Sequence, residues 1–477
     1  MSRFNISTAS TRTENLAGGQ AFAETPKLEF VSILLTSFVK DQFYKSEDEG
    51  LKRVTDLLKE IDPLFAAKTA IYARTKYGMR SISHVVAGEI ARLVKGKEWT
   101  KRFFSRIIYR PDDMSEILSY YYAKNGKGKE PNSLKKGFAK ALAQLNEYEL
   151  GKYKGEGKTV SMIDLVNLCH PAHTEAISKL IKGTLTPPKT WEVKMTQAGQ
   201  KAKTDEEKEE LKKDVWKNLI SEKKIGYFAL LRNLRNMLEQ APEAVPGALE
   251  MLVDEKLIKN SLVLPFRFAT AIKEIEQLSG TDTKLNRDTL MALNKAVEIS
   301  LSNVPKFDGS TLVVLDTSGS MEGKPVEIGA LFSVVLVKSN NADFMYFSDD
   351  AAYVNLNPMD SVLTLTKKIQ NDCESGGTNF QAIFNTANKP YNRIVILSDM
   401  MGWIGYDAPT HELAEYKKRT GANPKIYSFD LAGYGTLQLP QENIFCLAGF
   451  SEKTFDVIKM LEQDKNALIA EIERIEI

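Results

Sequence analysis

Three cysteines in 477 residues, at positions 169, 373 and 446, are too few, too scattered and the wrong parity for a disulfide framework. No apolar run reaches the roughly 18–20 residues needed to cross a bilayer. The longest, such as VSILLTSFV and FSVVLV, are the size of core elements. The opening MSRFNISTASTRTE is polar and has no apolar segment of the secretory kind. No strict internal repeat is visible. These absences predict a protein of the reducing cytoplasm with no membrane partner.

What is present suits a soluble, multidomain chain. Hydrophobic residues make up 43% and charged residues 26%, and the length exceeds what one core serves, so two or three domains are expected. Charge is uneven along the chain. Residues 1–305 carry 49 Lys and Arg against 39 Asp and Glu, whereas 306–477 carry 15 against 23. Within the basic part, residues 51–158 hold 23 against 12. Such asymmetry suggests that one half meets a polyanion; drift in surface composition is the plain alternative.

Before Pro305 the pattern is helical. VTDLLKEIDPLFAAKTAIYARTK, GFAKALAQLNEYEL, TEAISKLIKG, YFALLRNLRNMLEQ and RFATAIKEIEQL place apolar residues at three- and four-residue steps. Gly, Pro and Asn separate them at helix-pair intervals, predicting an irregular HEAT-like α-solenoid over 1–305. AKNGKGKEPNSLKK (123–136) reads as a basic loop and AGQKAKTDEEKEELKKD as a solvated helix. After Pro305 the runs TLVVLD, DFMYFS, RIVILSD and KIYSFDL are short, apolar and rich in β-branched and aromatic residues. Helical stretches alternate with them, among them VEIGALFSVVLVK and TFDVIKMLEQ. That alternation predicts an α/β doubly wound, Rossmann-like parallel sheet over 306–477.

In such a sheet the ligand site lies at the carboxyl ends of the strands. TLVVLD ends on Asp316, and Ser318 and Ser320 follow at alternate positions, pointing the same way if that loop is extended. ESGGTNF supplies Thr378 after a glycine pair, and RIVILSDM ends on Asp399. Two carboxylates and three hydroxyls form a hard all-oxygen set suited to Mg²⁺ or Mn²⁺ rather than zinc. A capped turn is the plainer use of the same residues. With the hydroxyls taken as ligands and no base nearby, the chain is expected not to be an enzyme.

The Asp-x-Ser-x-Ser, Thr, Asp constellation resembles the metal-ion-dependent adhesion site of von Willebrand factor A domains, and matches it at all five positions. The resemblance implies direct metal contact by the hydroxyls, carboxylates acting through water, and an open position for an acidic ligand. The helical half resembles the TROVE module of the Ro autoantigen and its bacterial relatives. That likeness is carried by TENLAGGQAFAETPK, KYKGEGKTVSMIDLVNLCHPAH, FALLRNLRNML and LVLPFRFATAI, and by the order of the modules. It implies a ring of helices closed by the A domain, a monomer, whose basic outer surface binds small non-coding RNA of the Y type. The ring's hole would take single-stranded 3′ ends of misfolded RNA, and an exoribonuclease or another protein would dock through an acidic residue at the metal.

The family's RNA-contacting segment matches at Lys152, Lys154 and His170. The loop GEGK has one extra residue and an acidic Glu156, so an arginine expected there has no clean counterpart and Lys158 stands in its place. His170, before Pro171, either caps a helix or touches RNA; with His173 it makes a poor zinc pair for want of further ligands. Arg232 and Arg235 share a helix face and are either solvated or turned to the lumen. Arg80, Arg102 and Arg106 are candidates for the basic surface, and Phe103, Phe104 and Tyr120 to Tyr122 are core or base-stacking residues. The competing functional class is a metal-dependent adaptor working with an ATPase, which needs no basic helical half and predicts no RNA affinity.

Overall fold

The computed structural model describes residues 12–15, 17–23, 26–36, 47–155, 157–187, 190–372, 376–405, 409–432, 436–439, 444–448, 455, 458–459 and 471–477. Glu156 and most of TFDVIKMLEQ lie outside the described residues. The strands, in chain order, are β1 (Arg12–Glu14), β2 (Gln20–Ala23), β3 (Thr311–Asp316), β4 (Asp343–Phe347), β5 (Ala351–Tyr353), β6 (Arg393–Ser398), β7 (Lys425–Asp430), β8 (Thr436–Leu437) and β9 (Ile444–Ala448). Among the described residues seventeen α-helices fill the stretch from Pro26 to Ser300.

Local sequence explains most helix ends. The long apolar pattern of residues 47–75 is cut in two at Asp62, which accepts the N–H of Leu64 as an N-cap, while Pro63 occupies the first helical position. Farther on, Asn146 and Ser161 open helices Glu147–Lys152 and Met162–Cys169 with capping boxes completed by Glu149 and Asp164. Two sequence readings need correction. AKNGKGKEPNSLKK is not all loop: it ends helix Asp112–Asn125 and begins helix Asn132–Leu142, with only 126–131 between them. AGQKAKTDEEKEELKKD is split between helices Trp191–Lys201 and Asp205–Ser221, which pack together through stacked Trp191 and Trp216. Trp216 is fully buried, so this pair is tied into the core through its ends.

The C-terminal sheet runs β5-β4-β3-β6-β7-β9, parallel except for the edge strand β5. β3 and β6 are buried along their whole length, which is why both read as unbroken apolar runs. The chain leaves β3 toward β4 and leaves β6 toward β7, so connections diverge at the β3–β6 pair. A crevice opens there at the carboxyl ends, where Asp316 and Asp399 stand.

Both ends of the helical array meet this domain, which closes the molecule into a ring. At one end helix Pro26–Thr36 touches β9, and β2 pairs antiparallel with β8. At the other, Phe266 packs on Phe332 and Phe455 at 6.1 Å each, and helix Thr283–Ser300 touches helix Val362–Asn371. Ion pairs Lys273–Glu327, Lys367–Glu276 and Lys338–Glu298 rim that second contact. The first two pairs are exposed and contribute little, whereas Lys338 is largely buried and Glu298 also accepts the Val362 N–H, so that pair and the aromatic rings dominate the contact. The division at 305 thus leaves out a crossing: arm residues 12–23 lie with the C-terminal domain. Among the described residues no helix is long and apolar enough to cross a membrane.

Candidate functional site

Asp316 and Asp399 are fully buried at the ends of adjacent strands, and Ser318 and Thr378 are nearly so. Asp316 Oδ1 accepts the N–H of Ser318 at 2.9 Å, and Oδ2 accepts the Ser398 hydroxyl at 2.5 Å. The loop after Asp316 is not extended: Gly319–Met321 forms a 3₁₀ turn. It still brings the Ser318 and Ser320 hydroxyl oxygens within 3.4 Å of each other. Asp399 Oδ1 accepts the Met401 N–H at 3.1 Å, and the Ser320 side chain bonds to the same carboxylate. Thr378 is held from behind, its carbonyl accepting the N–H groups of Trp403 and Ile404 at 3.1 and 3.3 Å. The five oxygen-bearing side chains named from sequence thus stand at one sheet end.

Burial, and then the neighbouring Asp399 carboxylate, push the Asp316 carboxyl well above the ordinary range. Burial raises Asp399 as well. Asp399 Oδ2 is buried with no hydrogen-bond partner. Two buried carboxylates side by side are costly unless a cation compensates them. The orphaned oxygen and the all-oxygen donor set therefore fit a hard divalent ion.

Sequence reasoning missed the supporting shell. Ser398 was readable as the residue before Asp399, but its bond to Asp316 depends on strand register. Asp349, in the FSDD after β4, accepts the Gly377 N–H at 3.0 Å. A methyl group on Gly377 would meet Ile404 at 2.4 Å and Asp349 and Trp403 at 2.8 Å. The glycine pair is thus a matter of space, since neither residue has a positive φ. Among the described residues no group of three or more His, Cys, Asp or Glu side chains could hold a metal ion, so His170 and His173 have no zinc set; His173 bonds Ser178 instead.

A second site lies inside the ring. A cavity of about 920 Å³ separates Thr75–Met79 and Tyr109 on one side from helices Tyr227–Gln240 and Phe266–Glu276 on the other. Phe228, Arg232 and Arg235 line it at i, i+4 and i+7 of one helix, while Leu230, Leu231, Leu234 and Leu238 of that helix are buried. Lys76 and Arg267 add positive charge, and Tyr109 is 62% exposed. Arg235 is engaged by Glu239 and Glu274, whereas Arg232 makes none of the ion pairs found among the described residues. Phe228 escaped the sequence reading, although its spacing from the two arginines was the available signal.

The outer basic surface is more mixed. The Lys152 ammonium lies 5.8 and 5.7 Å from the ring centres of Tyr148 and Tyr153, and Arg110 stacks on Tyr153 at 5.1 Å. Lys152 and Lys158 are exposed, Lys154 is half-buried, and Lys158 pairs with Glu116 at 3.4 Å. His170 ends helix Met162–Cys169 in a left-handed conformation, its N–H bonded to the Val166 carbonyl and its side chain exposed. Pro171 therefore opens no helix, since the next begins after the cap Thr174. Arg102 and Arg106 are exposed, but Arg80 is bound to Asp112 at 2.8 Å. Phe103 and Phe104 are core residues, packed edge to face with Trp99 and Phe138, and cannot meet bases. Tyr120 and Tyr121 are tied to Glu89 and the Lys129 carbonyl.

Known proteins match this arrangement. The chain matches the TROVE domain over residues 32–213 and 182–308. Telomerase protein component 1 of Rattus norvegicus is 23% identical over 318 residues, 48% of this chain and 12% of that protein. Its Mus musculus counterpart is 23% identical over 345 residues, 53% of this chain and 13% of that protein. The chain therefore spans about an eighth of the length of these curated relatives. The crystal structure of the Deinococcus radiodurans Ro (RSR) protein aligns with a TM-score of 0.61 at 17% identity, covering 92% of this chain and 100% of that one. That likeness is one of fold, a helical ring with a von Willebrand A-like domain. With more than half of the chain inside the matched region, this protein belongs to the TROVE domain family.

Proposed function

We propose that this chain is a non-catalytic RNA-binding ring, a scaffold or quality-control factor for small RNA, with a metal-dependent docking site on its α/β domain. The observation that carries the reading is the ring cavity, where exposed aromatic rings alternate with Arg232, Arg235, Arg267 and Lys76. Single-stranded nucleic acid is held by that pairing, cations tracking the phosphates and rings stacking on bases. In this reading the cavity takes a single-stranded 3′ end, whose unstacked bases are free to meet the rings. Lys152, Lys154 and Lys158, with His170 at the turn beyond them, give a structured, Y-type RNA a place to sit outside. TROVE proteins are RNA-binding in general, which supports the same reading.

At the sheet end, Ser318, Ser320 and Thr378 would hold Mg²⁺ or Mn²⁺ directly, with Asp316 and Asp399 acting through water. The ion would supply an open, Lewis-acidic position for a carboxylate of a protein partner, such as an exoribonuclease. The chain acts as a cytoplasmic monomer in this reading.

The test is a titration of the full chain with a stem-loop RNA carrying a single-stranded 3′ tail, against the same RNA without the tail, at two salt concentrations. Binding should be salt-sensitive, and the tail should add roughly tenfold in affinity, an increment lost in Arg232→Ala. Absence of RNA binding at low salt would refute the reading and leave the metal-dependent adaptor.

A further inference from the structure

Residues 12–14 and 20–23 form a hairpin, β1 with β2, at the far end of the sequence from the α/β domain on which they lie. Asn15 is 5% exposed and its side chain is bonded through both its oxygen and its nitrogen. Oδ1 accepts the N–H groups of Ala17 and Gly19 at 3.0 and 2.9 Å, closing the turn. Nδ2 donates to the Gly402 carbonyl at 2.6 Å, a bond spanning 387 residues. Gly19 lies against the same peptide: a methyl group there would stand 2.0 Å from the Gly402 oxygen and 2.6 Å from Trp403 Cα. Ala17 packs against Met401 and Ala432 in a small core of their own. Beside β8, Gln438 donates to the Met400 carbonyl at 2.9 Å.

Gly402 is the middle of the loop that builds the metal site. On one side Met401 gives its N–H to Asp399; on the other Trp403 gives its N–H to the Thr378 carbonyl. Met400 is held at φ 59, a left-handed conformation that a non-glycine residue keeps only when its surroundings impose it. The arm therefore grips the one peptide whose neighbours set two of the five ligand-bearing residues. The next element after the arm is helix Pro26–Thr36, the first of the ring.

We propose that Asn15 and Gly19 are positioning residues of the metal site: the arm latches the 399–403 loop in its ligand-presenting form and ties it to the first ring helix. This inference rests on the divalent-metal reading above. By linkage, whatever frees the arm weakens metal binding, and metal binding holds the arm down.

The test uses the full chain and two readouts, Mn²⁺ binding followed by its paramagnetic resonance and hydrogen exchange of residues 398–404 without metal. Asn15→Ser keeps a turn acceptor but falls short of Gly402, and Gly19→Ala wedges the loop. Loss of the one hydrogen bond in Asn15→Ser should weaken Mn²⁺ binding roughly fivefold, and Gly19→Ala should weaken it more. Exchange should accelerate at 399–404, with the urea midpoint of the helices unchanged. Wild-type affinity and wild-type exchange in both variants would overturn the latch. If the unsubstituted protein binds no Mn²⁺, the metal reading falls, and exchange alone then decides: faster exchange in the variants supports the latch, and unchanged exchange overturns it.

Discussion

The substitution Asp113→Asn should cost this protein a large share of its stability and loosen one wall of the ring cavity. Asp113 is fully buried and accepts five hydrogen bonds: Arg74 Nε and Nη2 at 3.1 and 3.0 Å, His84 Nε2 at 2.9 Å, and the N–H groups of Tyr109 and Arg110 at 3.0 and 2.8 Å. It thereby ties helices Pro63–Thr75 and Ser81–Leu93 to the start of helix Asp112–Asn125. Burial by itself raises the carboxyl pKa, but the His84, Arg74 and Arg110 bonds more than reverse this and hold it at about 2 against an ordinary 3.8. At ~1.4 kcal/mol per pH unit, that depression contributes on the order of 2–3 kcal/mol at neutral pH. The contribution is present above pH 3.8 and is lost as pH falls toward 2. A neutral amide at this position would also leave the Arg74 guanidinium, 2% exposed, without its counter-charge; breaking such a buried pair costs about 3–5 kcal/mol. Urea denaturation followed by helical signal at pH 7 should therefore show a loss between these figures, with a shallower acid dependence below pH 4. Because Arg74 stacks on Tyr109 at 5.1 Å, affinity for a single-stranded tail should fall too. A loss below about 1 kcal/mol would refute the reasoning, since an ordinary surface change costs about that little.

Asp316→Ala should abolish Mg²⁺ binding by calorimetry while RNA affinity stays within about twofold, the sites lying in separate halves; equal loss of both would show that they are one unit. Replacing Lys152, Lys154 and Lys158 together with Ala should weaken binding to structured RNA and reduce the slope of log K against log salt by roughly two to three. An unchanged slope would place the RNA elsewhere on the ring.

How much of this was legible in the sequence follows from which interactions are local. Strands β3, β4, β6 and β7 announced themselves because a parallel strand covered on both faces must be apolar throughout. The short, exposed edge β5 and the hairpin β1–β2 have no such obligation, and neither shows a pattern. The five-residue oxygen set was readable because four of its members sit directly at strand ends or in the turn after one, where topology requires a ligand to lie. By contrast, Arg80, Arg102, Arg106, Arg232 and Arg235 look alike in sequence. Their partners separate them: Asp112 binds Arg80, Glu274 binds Arg235, and Arg232 is left facing the cavity. Phe103 and Phe104 were ambiguous for the same reason and proved to be core.

Periodicity, caps and strand-end chemistry act over a few residues. The two textures, the basic helical half and the acidic α/β half, and the identity of the metal-ligand candidates are therefore written in the chain itself. The closing of the helices into a ring is not, nor is the meeting of Phe228 and Arg232 with Lys76 and Tyr109 around one cavity, nor the bond from Asn15 to Gly402. The ring and the latch join residues tens to hundreds of positions apart. They exist because apolar faces from both ends of the array are buried against one domain, which no local pattern encodes.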